Sequence, residues 1–239
     1  MKRHILIGVV ALVAGPLLAA DSSPKDDVLA AAKKLADKDN YSWHAVTDFG
    51  ANSPFGPLTS DGKTEKNGYT TITSIGNDNT TEGVVKDKKA AVKTDEGWKT
   101  ADEVIAGSGG GPDPSVFMAR RLQNLRLPAA DLEDLASKVK ELKKDGDAYS
   151  GELTEEGAKA LLTFGFGRRG GPPPATSNAK GSVKFWIKDG TITKFESRIS
   201  GKRDFNGEER EIERNTTVEV KDVGATKVNV PDDAKKKLS

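Results

Sequence analysis

Apolar and charged side chains alternate through residues 182–220 with a regularity that leaves few folds open. Val183, Phe185 and Ile187 alternate with Lys184 and Lys188, and Val218 and Val220 alternate with Glu219 and Lys221. A period of two means strands with one dry and one wet face, the usual state of an antiparallel sheet. Lys188-Asp189-Gly190 fits a three-residue hairpin loop closed by Gly190 in the left-handed region. That loop sets Ile187 opposite Thr191, Phe185 opposite Thr193 and Val183 opposite Phe195. At the next turn two loops compete. A two-residue Asn206-Gly207 turn sets Arg203 opposite Arg210. A four-residue loop over 204–207 sets Arg203 opposite Glu208, Lys202 opposite Glu209 and Ile199 opposite Ile212. Opposed charges contribute roughly 0.2–1 kcal/mol and like charges cost a similar amount, which favours the longer loop. One face then collects Val183, Phe185, Ile187, Phe195, Ile199, Ile212, Val218 and Val220, with Trp186 and Ile192 as exceptions on the wet side.

A dry face needs a cover, and the chain supplies helices for it. Ser23-Pro24-Lys25-Asp26 reads as a capped helix start, and Val28, Leu29, Ala32, Leu35 and Ala36 follow on one stripe, ending near Asp39-Asn40. Asp113-Pro114 opens a helix through about Leu125. Asp131 caps another whose apolar line is Leu132, Leu135, Val139 and Leu142, and Thr154 opens a short one through Leu162. Strands are expected over 41–49, 63–75, 82–86, 89–94 and 149–153, with a further one beginning at Trp98. The Gly/Pro-rich stretches 107–113 and 165–181 read as flexible loops. The expected fold class is α+β: a curved antiparallel sheet wrapped over several amphipathic helices, forming one domain over residues 21–239.

Composition removes several functional classes. The first twenty residues join a basic start, Lys2-Arg3-His4, to an apolar run from Ile5 to Leu18 and then Ala19-Ala20. About 14 apolar residues fall short of the ~20 needed to span a bilayer, so the segment reads as a signal peptide cut near Ala20. The expectation is a periplasmic or secreted protein without a stable membrane anchor. Of 37 basic and 36 acidic residues, 35 and 36 remain after the cut, a balance that argues against a nucleic-acid partner. There is no cysteine, hence no disulfide, thiolate site or thiol nucleophile. His44 is the one histidine beyond the signal segment. Its neighbour Asp48 lies about 13 Å along the same strand, too far for an acid–base pair.

The order of these elements resembles the LolA/LppX-like half-barrel proteins. The resemblance is carried by residues 90–98 (Ala-Ala-Val-Lys-Thr-Asp-Glu-Gly-Trp), by residues 183–190 (Val-Lys-Phe-Trp-Ile-Lys-Asp-Gly) and by the closing residues 222–231, similar to that family's final strand and proline-ended tail. It implies a half-barrel whose concave apolar face, lidded by helices, receives a lipid or the acyl chains of a lipoprotein, with no chemistry and no cofactor. Under it, Val183, Phe185, Ile187, Phe195 and Ile199 line the concave face, with Trp43 and Trp98 at its rim. The sequence departs from the anchored members in lacking a lipidation cysteine, Asp21 standing where it would be.

The remaining signals have ordinary explanations. Glu209, Glu211 and Glu213 fall on the solvent face beside Arg and Lys partners. Gly107–111 lacks the Lys-Ser/Thr of a phosphate loop. Residues 167–171 hold a single arginine–glycine element, and Lys235-Lys236-Lys237 reads as a frayed end. The leading expectation is an exported, non-catalytic carrier of a hydrophobic ligand. The alternative is a cell-envelope interaction protein that keeps the fold without a pocket, and an enzyme centred on His44 comes third.

Overall fold

The computed structural model describes residues 22–239 except 52, 54, 55, 78, 110–112, 164–174 and 206. The signal-like segment 1–20 and most of the loop expected at 165–181 therefore lie outside the described residues. Eleven strands form one antiparallel sheet. They are β1 (Asn40–Asp48), β2 (Leu58–Glu65), β3 (Thr70–Gly76), β4 (Asn79–Lys86), β5 (Lys89–Thr94), β6 (Gly97–Thr100), β7 (Lys143–Asp145), β8 (Ala148–Glu152), β9 (Thr176–Lys188), β10 (Thr191–Phe205) and β11 (Glu208–Lys221). The order across the sheet is β6-β5-β4-β3-β2-β1-β11-β10-β9-β8-β7. Two meanders are thus sewn together where β1 pairs with β11, Trp43 opposite Val220 and Ala45 opposite Val218. The sheet is open, and the fold is α+β.

The helices are α1 (Pro24–Ala36), α2 (Ala101–Ala106), α3 (Pro114–Gln123), α4 (Pro128–Ser137), α5 (Glu155–Thr163) and α6 (Asp232–Lys237). The α1 start is built as its sequence indicates: the Ser23 side chain accepts from the Asp26 N–H and the Asp26 carboxylate answers at the Ser23 backbone. Val28 and Leu35 of α1, Met118 and Leu122 of α3, Leu132 and Leu135 of α4 and Leu162 of α5 share one core with Trp43, Ile72, Phe185 and Phe195. The helices fill the concave side of the sheet.

Two glycines permit that filling. Gly62 pairs with Trp43 across β1 and β2, and a Cβ on it would lie 2.1 Å from Trp43 Cζ2. A Cβ on Gly83 of β4 would lie 2.4 Å from Leu122 Cδ1. Large side chains thus lie flat on bare backbone. Gly62→Ala is expected to displace the Trp43 ring and cost about 1–3 kcal/mol. Urea denaturation checks this, with a lowered midpoint and an unchanged slope.

Both turns of the C-terminal sheet differ from the registers read above. Asp189 and Gly190 have φ of 53° and 68°, a two-residue turn with Thr191 opposite Lys188 and Ile192 opposite Ile187. Lys194 then faces Trp186, so Thr193 is an extra residue, a β-bulge. The bulge reverses the parity of the strand before it and turns Ile192 into the core at 1% exposure, correcting its assignment to the wet face. Phe185 meets Phe195 and Val183 meets Ser197, a slip of two from the expected pairing, which leaves the faces beyond the bulge unchanged.

At the second turn Phe205 pairs with Glu208, so the shorter of the two registers is used and Arg203 does stand opposite Arg210. The like charges diverge. Arg203 is buried and donates from Nη2 to the Leu162 carbonyl (3.1 Å) in the last turn of α5, the negative end of that helix. Arg210 points to solvent and binds Glu208 at 3.0 Å.

Other elements also shift. Residues 63–75 are not one strand, because a turn carrying Asn67 at φ 58° separates β2 from β3. Residues 176–181, expected in a loop, belong to β9. Asp131 is not a cap: α4 begins at Pro128, and Val139 and Leu142 reach the core from beyond its end. Residues 222–231 hold no strand. The lysine-rich end is not frayed, since it forms α6 with Ala234 and Leu238 buried.

Candidate functional site

Alternation along the strands places the residues named for ligand binding on two faces. Trp43, Val183, Phe185, Phe195 and Ile199 all point into the helix-filled concavity and are buried, Phe185 at 0% exposure. Ile187 is half-buried at the edge of the same cluster. Trp98 is on the opposite, convex face. It stands opposite Lys93 in β5 and packs with Val84, Ala91, Tyr69 and Val230 in a separate cluster under α6. The two tryptophans assigned to one rim are therefore divided by the sheet.

The concave side does open at one end. A cleft of about 500 Å³ lies between the Thr70 end of β3 with the Val85 end of β4 and the segment joining α3 to α4. Thr70 and Val85 form its sheet wall, Leu122, Leu125 and Leu127 its helical wall, and Asp87, Lys88 and Gln123 lie among its polar lining. Val85, Leu125 and Leu127 are half-buried, so apolar surface remains accessible there. The signal for this site was three leucines crowded into residues 122–127 ahead of Pro128, too many for one helical stripe.

At the far end of the same strands the inward positions turn polar. Ala45, Ser60 and Ser74 form one row across β1, β2 and β3, and Thr47 and Thr216 form the next, with Thr47 Oγ1 3.3 Å from Thr216 Oγ1. Arg121 of α3 donates from Nη1 to both Ser60 Oγ and Ser74 Oγ, each at 2.7 Å. Arg214 projects inward from β11, in step with Ile212 and Val218. Asp131 of α4 faces both arginines. It pairs with Arg126 at 3.4 Å, and Arg126 also pairs with Asp134 at 3.5 Å.

Asp131 keeps 46% of its side-chain surface in solvent although protein surrounds it. That position pushes its carboxyl up to about 6, against the pull of Arg126, Arg214 and Arg121, with Asp134 adding to the rise. Burial likewise pushes the Tyr41 phenol of β1 up to about 12, and Asp131 adds to that rise.

His44 Nδ1 lies 2.8 Å from Asp61 Oδ1 on the convex face, a cross-strand contact that replaces the Asp48 partnership considered from sequence. Glu219 stands on its other side. Lys184 and Lys194 each lie 4.9 Å from the centre of the Trp186 ring on that face. Among the described residues, no group of three or more His, Cys, Asp or Glu is placed to hold a metal ion.

No protein-family model matches the chain, and no curated protein does. Solved structures do match. Lipoprotein LppX of Mycobacterium tuberculosis is 14% identical over 89% of this chain and 100% of that one, with a TM-score of 0.47. LprF of Mycobacterium bovis is 16% identical over 89% and 100%, at 0.44. A LolA superfamily protein of Nitrosomonas europaea is 8% identical over 88% and 96%, at 0.34. All three likenesses have TM-scores below 0.5. No helix among the described residues is long and apolar enough to cross a membrane.

Proposed function

We propose that this chain is an exported, non-catalytic carrier of a single-chain amphiphile. The observation that carries the reading is the cleft under the α3–α4 link, where Leu122, Leu125 and Leu127 face Val85 across about 500 Å³. That volume lies within the usual range for small-molecule sites. An acyl tail would lie along the leucines, and its head would stay with Asp87, Lys88 and Gln123. The filled core beneath β9–β11 limits the ligand to one chain at this end, because Phe185, Phe195 and Ile199 expose at most 2% of their surface to a second. The same filled core favours a second reading, an envelope interaction protein without cargo.

The test is mass spectrometry of an organic extract from the mature protein, purified without detergent from its own envelope fraction. A stoichiometric acyl species, absent from a control protein handled identically, is expected. A fluorescent fatty acid should then bind wild type at least tenfold more tightly than Leu125→Glu, with urea denaturation checking that the variant is folded. A clean extract, together with equal binding by both proteins, overturns the carrier reading in favour of the interaction protein.

A further inference from the structure

We propose that the Thr70 hydroxyl sets the specificity of the α3–α4 cleft: it donates to the carbonyl oxygen of the bound chain, so the cargo is an acyl chain and not an alkyl one. This rests on the carrier reading above and names the class of ligand that the cleft selects. Thr70 opens β3 on the sheet wall of the cleft, with Val85 of β4 opposite it on one side and Thr64 of β2 on the other.

The two hydroxyls of this wall hold one proton too many. Thr64 Oγ1 and Thr70 Oγ1 lie 2.8 Å apart, and both residues are buried, at 5% and 8% exposure. Each hydroxyl carries one proton, and the bond between them uses one of the two. Among the described residues, neither hydroxyl has another hydrogen-bond partner. A buried donor left without an acceptor is costly, so the second proton calls for an acceptor from whatever fills the cleft. With Thr64 donating to Thr70, the spare proton is on Thr70, the member of the pair that lines the cleft. Thr64 lies one strand further in, opposite Tyr41. A carbonyl oxygen in the cleft selects this arrangement and accepts the spare proton. The methylene that replaces the carbonyl in an alkyl ether does not.

The position suits a carbonyl close to a head group. Thr70 pairs with Val85, and Asp87 lies two residues beyond Val85, about 7 Å at strand spacing. An ester carbonyl seated at Thr70 therefore places a glycerol-sized head beside Asp87 and Lys88, both exposed at the β4–β5 turn. Two acceptors stand in that part of the lining. Gln123 Nε2 donates to Asp102 Oδ1 at 2.7 Å, and its amide oxygen remains an acceptor beside the Asp87 carboxylate. Lys88 supplies the donor. Head hydroxyls fit such a set, whereas a free carboxylate meets Asp87 as a like charge. The tail then runs along Leu122, Leu125 and Leu127.

Displacement of a fluorescent fatty acid from the mature protein tests this with three chains of equal length: myristoyl glycerol, tetradecyl glycerol ether and myristate. Wild type should bind the ester about fivefold more tightly than the ether, the difference that one neutral hydrogen bond makes. Thr70→Val keeps the shape of the side chain and removes the hydroxyl. It should bring the ester-to-ether ratio to about one with the ether affinity unchanged, a sign that the cleft is still formed. Thr70→Ser should restore the ester preference. Two arms distinguish the source of the carbonyl. Ester bound more tightly than myristate identifies an ester-linked lipid, and equal binding of the two, both weakened in Thr70→Val, identifies a free fatty acid. Equal affinity of wild type for ester and ether, or an ester preference that survives Thr70→Val, overturns the proposal and leaves the carrier reading standing. Binding of none of the three overturns both.

Discussion

Phe185→Ala is expected to destabilise the ligand-free protein by about 3–5 kcal/mol, the cost of emptying a well-packed aromatic site. Phe185 is central to β9, with Phe195 opposite on β10 and Tyr149 opposite on β8, and none of its surface reaches solvent. Against a typical total stability of about 5–15 kcal/mol, such a loss brings the domain near its unfolding threshold. Denaturant titration after organic extraction measures it. The number also separates two roles for the same residue. A phenylalanine that lines a ligand space packs against little in the empty protein, so its truncation costs under about 1 kcal/mol and is felt only when ligand is added. A phenylalanine wedged between sheet and helices costs its full amount with nothing bound. A value in the lower range would move the cargo site from the α3–α4 cleft to the centre of the half-barrel.

How much of this was legible in the sequence follows from what each signal measures. Alternation of period two identified the dry face of β9–β11 correctly even though the turn lengths were misread, because a slip of two residues keeps parity. Ile192 escaped because a bulge at Thr193 inserts one residue, and nothing local in Thr191-Ile192-Thr193 announces it. The Arg203–Arg210 pairing was rejected on charge alone. The competing term was tertiary: the carbonyl end of α5, forty residues earlier in the chain, accepts Arg203. Arg214 was readable and passed over. It keeps the inward phase of Ile212 and Val218 on β11. Trp98 was misplaced because the residues covering it, Val230, Ala234 and Leu238, read as an extended or frayed tail. Their spacing is too short to show a period, and they are ordered by the sheet they cover.

That cover leads to the second large effect. Deleting residues 231–239 is expected to lower stability by about 3–5 kcal/mol, and to shift tryptophan emission to the red. The segment crosses the convex face. Ala234 and Leu238 are buried against Val84 and Ala91, Lys237 pairs with Glu103 at 3.2 Å, and Lys89 Nζ donates to the main-chain oxygen of Ser239 at 2.6 Å. Burying a leucine contributes about 1.5–3 kcal/mol, and the newly wetted faces of Val84, Ala91 and Trp98 add to the loss, while the surface ion pair adds little. The red shift belongs to Trp98, because Trp43 is buried in the other cluster and Trp186 already meets solvent. Fatty-acid affinity of the folded fraction should stay within about twofold of wild type, since the cleft lies across the sheet from α6. A truncated protein that keeps its stability and blue emission would mean that Val84 and Ala91 are covered by something other than the tail. A truncated protein that loses stability and affinity together would mean that the two faces of the sheet are coupled through β4, where Val84 and Val85 point to opposite sides.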